Sequence, residues 1–178
     1  GRGNELTEIQ KTTHVRHGAE YPFTSGIGRL YTHLTEKYID FGRYNEGKTM
    51  GLAPFGNDSL LRSIPQKLWY KVLNGHVVCN ARITHPSRSL AYSLRRAALA
   101  WITSLLPNKY IFPEIRLPRP SRRGEPLPDD YYTSVAYAGQ KILEEVVLWW
   151  AKKLRVITLS PNICIAGGVG LNIDANSK

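Results

Sequence analysis

The sequence is poor in cysteine, and its two thiols, Cys79 and Cys164, stand far apart with no CxxC or Cys/His cluster around either. That spacing leaves a disulfide framework and a structural zinc site without support. Cys164 is expected to pack as a small buried apolar group, and a reducing, cytoplasmic setting is the expectation. No apolar run approaches the roughly 20 residues needed to cross a bilayer. The opening Gly1-Arg2-Gly3-Asn4-Glu5 is no secretory leader, because no apolar core follows a basic start. It has no initiator Met either, which points to a piece cut from a longer chain. Glycine and proline are too few and too aperiodic for a fibrous or low-complexity protein, and no internal repeat is visible.

What is present is an ordinary globular composition, 42% hydrophobic and 21% charged, over 178 residues. The chain is long enough for one domain with a real core, or one lobe of a larger one. Its net charge of +10 is unevenly placed. Residues 1–60 carry 7 basic and 7 acidic side chains, residues 61–126 carry 12 and 2, and residues 127–178 carry 5 and 5. The excess therefore belongs to the middle third, where it faces an anionic partner or an acidic surface of the same protein. Nucleic acid is disfavoured, because the basic residues alternate with apolar ones, as in Leu94-Arg95-Arg96-Ala97-Ala98-Leu99, and no reading module accompanies them.

Periodicity predicts a first helix over residues 25–38, with Ile27, Leu30, Tyr31, Leu34 and Tyr38 on one face and Ser25 as its cap. Gly42 closes that region. A short helix begun near Lys48 is closed by Pro54 and Gly56. Residues 68–72 and 76–83 read as strand candidates around the turn Asn74-Gly75. Residues 88–106 read as a helix stopped at Pro107, and the Pro- and Arg-rich run 117–128 as a loop. The clearest helix is predicted over residues 130–154, marked by Val135, Ala138, Ile142, Val146 and Trp149, widened by Leu143, Val147 and Trp150. Asp129 and Asp130 suit its positive end, and Lys152, Lys153 and Arg155 its negative end. Trp149 and Trp150 are read as core or lobe-interface packing. A short buried strand over residues 162–166 is expected to run into Gly167-Gly168 and a further helix.

Two runs could carry chemistry. An apolar strand ending in paired glycines and opening a helix exposes backbone N–H groups to a phosphate, and Gly167 and Gly168 allow the close approach. Asn172 adds a donor and an acceptor. The spacing is neither a dinucleotide fingerprint nor a Walker loop, so a plain strand-to-helix turn weighs about equally. In the second run, Glu46-Gly47-Lys48 with Gly51, a lysine beside glycines can reach an anion as a mobile point charge. By pattern alone a solvated lysine beside a turn is the stronger reading. His14 and His17 could share a helix face, but no carboxylate or Cys stands at ligand spacing, so no metal ligand is assigned. His33, His76 and His85 are isolated, and no Ser-His-Asp arrangement can be argued.

Together the two runs resemble a known family. Asn45-Glu46-Gly47-Lys48-Thr49-Met50-Gly51-Leu52-Ala53-Pro54-Phe55-Gly56 is similar to the EGK-x-MGLAPYG signature of the nodulation-type O-carbamoyltransferases. Asn162-Ile163-Cys164-Ile165-Ala166-Gly167-Gly168-Val169-Gly170-Leu171-Asn172, with Ala175-Asn176, resembles their NLCLAGGVALN-x-x-AN. The segment from Tyr21 to Tyr31 and the helix carrying Gln140, Glu144 and Glu145 are similar to the stretches that precede each signature.

The resemblance implies a helix-rich α/β fold, part of an actin-like ATPase domain with a basic insertion, and an incomplete lobe. Residues 1–60 would hold the first signature, 61–128 the insertion, and 129–178 the helix and the strand–GlyGly–helix nucleotide region. It implies ATP-dependent transfer of a carbamoyl group from carbamoyl phosphate, through a carbamoyl-adenylate, to a hydroxyl of a sugar-containing small molecule. Carried over by position, Gly167 and Gly168 would line the phosphate or adenylate, Asn172 would hold the ribose or phosphate end, and Gly51 would belong to the same site. Lys48 would approach the anionic intermediate, which needs charge stabilisation at phosphoryl oxygens. The family's HHxxHA metal-binding segment does not occur here, and His14-x-x-His17 has the wrong spacing to replace it. The divalent metal is therefore expected from outside these residues, the rest of the polypeptide is the expected partner, and the piece alone is expected to be inactive. Gly170 stands where Ala is usual. The rival reading is a non-catalytic module of an actin-like fold that binds a polyanion such as RNA.

Overall fold

A computed structural model of the chain describes residues 8, 24–73, 75–80, 83–84, 115–117 and 130–178. In chain order the elements are β1 (Thr24–Ser25), α1 (Ile27–Lys37), α2 (Glu46–Leu52), α3 (Ser59–Ser63), β2 (Tyr70–Leu73), β3 (His76–Asn80), β4 (Ile83–Thr84), β5 (Ile115–Arg116), α4 (Tyr131–Thr158) and α5 (Ile173–Asn176). Single 3-10 turns span Ala53–Phe55, Gln66–Leu68 and Gly168–Leu171. The helix predicted over residues 88–106, the proline-rich loop past Leu117, His14, His17, His85 and Asp129 lie outside the described residues.

The architecture is mixed α/β and rich in helix. Helix α4 organises it. Val135, Ala138 and Ile142 are fully buried and Val146 nearly so, as their three- and four-residue spacing requires. Each large aliphatic side chain so buried contributes roughly 1.5–3 kcal/mol. Helix α1 lies against this face through Leu30 and Leu34, and a Cβ added at Gly139 of α4 would stand 3.0 Å from Leu34 Cδ1. The predicted face of α1 is the buried one, with Leu30, Tyr31, Leu34 and Tyr38 inside. Its cap differs from expectation. Gly26 occupies the cap position, while Ser25 pairs with Cys79 in β1 and is held by the sheet.

Strands β1, β3 and β2 form one antiparallel sheet in that order, and β4 and β5 a parallel pair. Gly75, at φ +77°, makes the hairpin bend after β2, as Asn74-Gly75 suggested. Trp69 is fully buried beneath the hairpin, its indole N–H donating to Ile64 O over 3.1 Å. The hairpin turn is tied to the far end of α4 by Lys153, whose ammonium donates to Gly75 O and lies 5.1 and 4.9 Å from the Trp149 and Trp150 ring centres. Both tryptophans pack against the core, in keeping with the structural reading of them.

Two expectations fail near the end. Helix α4 runs past residue 154 to Thr158 and ends on Leu159, left-handed at φ 56°, whose N–H bonds Arg155 O. The added turn exposes Val156 and Ile157, so no apolar stripe announced it. Residues 162–166 are exposed and form no strand, and Cys164 is exposed with them. An apolar segment becomes a strand only where a neighbour supplies its backbone partners, and both sheets among the described residues lie elsewhere. Cys79 is the buried thiol, its pKa pushed up to about 12 by burial.

Glu145, on α4, carries a test of this packing. Burial raises its carboxyl above the ordinary value, opposed by the Tyr70 hydroxyl, which donates to Oε2 over 3.4 Å. The folded state then holds this proton more tightly than the unfolded chain. Its contribution is complete below the unfolded value near 4.5 and is lost as pH rises through the folded one. Glu145→Gln is expected to raise the melting temperature at about pH 8, with the gain fading towards about pH 4. Melts across that range check it, and a pH-independent difference would refute it.

Candidate functional site

Helix α2 is set on α1 by two contacts at matching three-residue intervals. Thr32 Oγ1 donates to Glu46 Oε1 over 2.6 Å, and the Thr35 and Thr49 hydroxyls meet at 2.9 Å in a buried bond. These place Glu46, Gly47 and Met50 along one side of a cleft of about 560 Å³. Gly168, Val169 and Asn172 line the same cleft. The two motif runs, more than a hundred residues apart in sequence, therefore meet around one hollow of the size that small ligands occupy.

The glycine corner is held by a closed polar network. Gly167, at φ +95°, turns the chain into the 3-10 turn and then α5. The further helix expected there is thus one 3-10 turn followed by a short α5. Gly168 and Val169 open that turn, so their N–H groups have no intrahelical acceptor. Asn172 caps α5, its Oδ1 accepting the Ala175 N–H over 2.9 Å. The same Oδ1 accepts Gln140 Nε2 over 3.0 Å, while Asn172 Nδ2 donates back to Gln140 Oε1 over 2.9 Å. Gln140 also receives the Tyr31 hydroxyl on Oε1 at 3.0 Å and donates to Glu144 Oε1 at 3.1 Å. Because Asn172 Oδ1 must face a backbone N–H, and Gln140 Nε2 must face a carboxylate, both amide orientations are set without ambiguity.

The surroundings are acidic. Burial pushes the Tyr31 phenol well above its ordinary range, and the carboxylates of Asp174, Glu144 and Glu46 push it the same way. Lys141 donates to Glu144 Oε2 over 3.0 Å, and that bond raises the lysine above its usual value. Among the described residues no three His, Cys, Asp or Glu side chains converge as a metal site. Nor is any of their helices long and apolar enough to cross a membrane.

Of the residues singled out in the sequence, Gly168 and Asn172 line the cleft. Lys48, Gly51 and Gly167 do not; Lys48 and Gly51 are exposed on α2, not on a turn, and Gly167 sets the corner from outside. Sequence reasoning missed Tyr31, Thr32 and Glu46 as cleft residues, and Gln140 as the partner of Asn172. Tyr31 stood on the apolar face of α1 and was read as core, which it also is.

Comparison with known proteins gives this arrangement its context. The sequence matches the family described as Carbamoyltransferase N-terminus over residues 3–178. It is 25% identical over 173 residues to the nodulation protein NolNO of Sinorhizobium fredii, covering 97% of this chain and 21% of that protein. It is 24% identical to the nodulation protein NolO of Bradyrhizobium diazoefficiens, covering 97% of this chain and 26% of that one. The chain thus spans about a fifth to a quarter of the length of these relatives. Both signature runs, and the cleft they build together, lie inside the matched span: the chain belongs to the carbamoyltransferase N-terminus family.

Proposed function

We propose that this chain supplies the nucleotide cleft of an ATP-dependent O-carbamoyltransferase with an actin-like ATPase fold. The observation that carries the reading is the convergence of Glu46, Gly47 and Met50 with Gly168, Val169 and Asn172 on one hollow. The residues suit the nucleoside end of ATP. Met50, Leu143 and Val169 offer apolar walls, Gly47 and Gly168 have nothing within 4 Å of where a Cβ would stand, and Glu46 is an acceptor for sugar hydroxyls. Among the described residues lining the cleft Glu46 is the charged group and none is a cation, which favours that end over the triphosphate and weighs against RNA as the occupant. Lys48, exposed one residue beyond Gly47, would meet the anionic end as a point charge. ATP is a co-substrate here: carbamoyl phosphate would be hydrolysed to carbamate and phosphate, a carbamate oxygen would displace pyrophosphate from ATP to give the adenylate, and a hydroxyl of a sugar-containing acceptor would take the carbamoyl group with release of AMP. The described side chains do not fit a metal ion, so no step is routed through one.

The reading is tested by calorimetric titration with ATP. Gly168→Val, which fills the open backbone approach, is expected to weaken ATP binding at least about tenfold while leaving the melting temperature unchanged. In the full-length protein, Lys48→Ala should keep the fold and lower ATP-dependent carbamoyl transfer. Failure of the unmodified protein to bind ATP, or equal binding by Gly168→Val, would overturn the cleft assignment.

A further inference from the structure

We infer that Tyr44 is a stacking wall for the planar base of the nucleotide, a specificity residue outside both signature pairings; this rests on the nucleotide reading of the cleft. Three observations converge on it. Tyr44 lines the cleft, yet the residue is 92% exposed, so the ring packs on almost nothing. Leu171, 78% exposed and contributed by the second run, lines the cleft as well. Two large apolar groups left in water at the same hollow, Tyr44 just before the first run and Leu171 within the second, offer the burial that a flat aromatic ligand would complete.

The backbone supplies the third observation. Tyr44 sits at φ 61°, in the left-handed region that a bulky residue adopts only at a cost. Strain of this kind persists where neighbouring contacts over-determine it, and they do so here. Asn45 Nδ2 donates to Phe41 O over 2.8 Å and to Arg43 O over 3.0 Å, gripping the chain on the near side of Tyr44. On the far side, Asn45 O receives the Lys48 N–H at 2.9 Å and so starts α2. Glycine would take this conformation freely, whereas a tyrosine held there leaves its ring in solvent beside the cleft, where a flat ligand can meet it.

The test separates stability from binding. Tyr44→Gly relieves the backbone and is expected to raise the melting temperature by about 2–4 °C, while weakening ATP at least about tenfold. Tyr44→Ala should weaken ATP to the same degree, and Tyr44→Phe and Tyr44→Trp should hold it near the unmodified value. Inorganic tripolyphosphate, which has no base to stack, should be bound equally by all of these variants. ATP bound as tightly by Tyr44→Ala as by the unmodified protein would overturn the inference and leave the cleft reading standing. Parallel losses of ATP and tripolyphosphate would overturn it as well. No ATP binding by the unmodified protein would remove the cleft reading itself, and the inference with it.

Discussion

Gly56→Ala is expected to destabilise the fold by about 3 kcal/mol, at the upper end of what overpacking usually costs. The reason is steric, not conformational: Gly56 lies at φ −93° and ψ −179°, which any residue adopts. A Cβ there would stand 2.1 Å from Thr133 O, 2.6 Å from Thr133 C and 2.8 Å from Tyr137 Cβ. Two of those atoms are backbone of the first turn of α4, so no side chain can swing aside. Relief requires prising the end of the first motif run away from the helix that carries the core. Gly51 provides the contrast, since a Cβ there meets nothing within 4 Å and the residue is on a helix. Gly51→Ala should therefore stabilise by up to about 1 kcal/mol through helix propensity alone. Urea denaturation of the two variants checks both signs. A Gly56→Ala protein as stable as its parent would mean that the seam between the run and α4 is looser than its atoms allow.

Gln140→Leu should have a comparable cost, but a localised one. The substitution strips Asn172 of its amide partner, and Glu144 Oε1 and the Tyr31 hydroxyl of one bond each, all within buried surroundings. A buried polar group left unpaired costs about 1–3 kcal/mol, so a total of about 3 kcal/mol is expected. Gln140→Glu keeps the shape but turns a double donor into an acceptor facing Asn172 Oδ1 and Glu144 Oε1, and should be no better tolerated at neutral pH. The diagnostic is amide hydrogen exchange without ligand. Amides of residues 168–176 should exchange at least about tenfold faster, while those of the β2–β3 hairpin keep their protection. A uniform rise over the whole chain would make Gln140 an ordinary core residue, and no change at residues 168–176 would show that the corner stands without it.

The parts of the molecule legible in the sequence were those with a local cause. The spacing of Val135, Ala138, Ile142 and Val146 announced α4, and Asn74-Gly75 announced the hairpin, because one helix face or one turn needs only neighbouring residues. Pro54 and Gly56 marked the end of α2 for the same reason, with a 3-10 turn between. Readings that depended on distant partners fared worse. Residues 162–166 have the composition of a buried strand and no strand beside them among the described residues, so they stay irregular and solvated. Ser25 has the chemistry of a cap but was drawn into pairing with Cys79. In the cleft, the sequence pointed to the right runs and not always to the right side chains. Lys48 drew notice through its charge, yet it is Glu46 and Gly47 that turn toward the hollow, because the Thr32 and Thr35 contacts set the rotation of α2.

The amino-acid order alone determined α1, α2, the body of α4, the hairpin and the kinship with carbamoyltransferases, since periodicity, turn chemistry and signature runs are properties of short windows. Tertiary packing alone decided that α1, α4 and the glycine corner share one network, joining Tyr31 to Gln140 across 109 positions and Gln140 to Asn172 across 32. An amide has no preferred partner until burial removes water as the alternative, and which groups are buried together follows from how α1 and α4 cross.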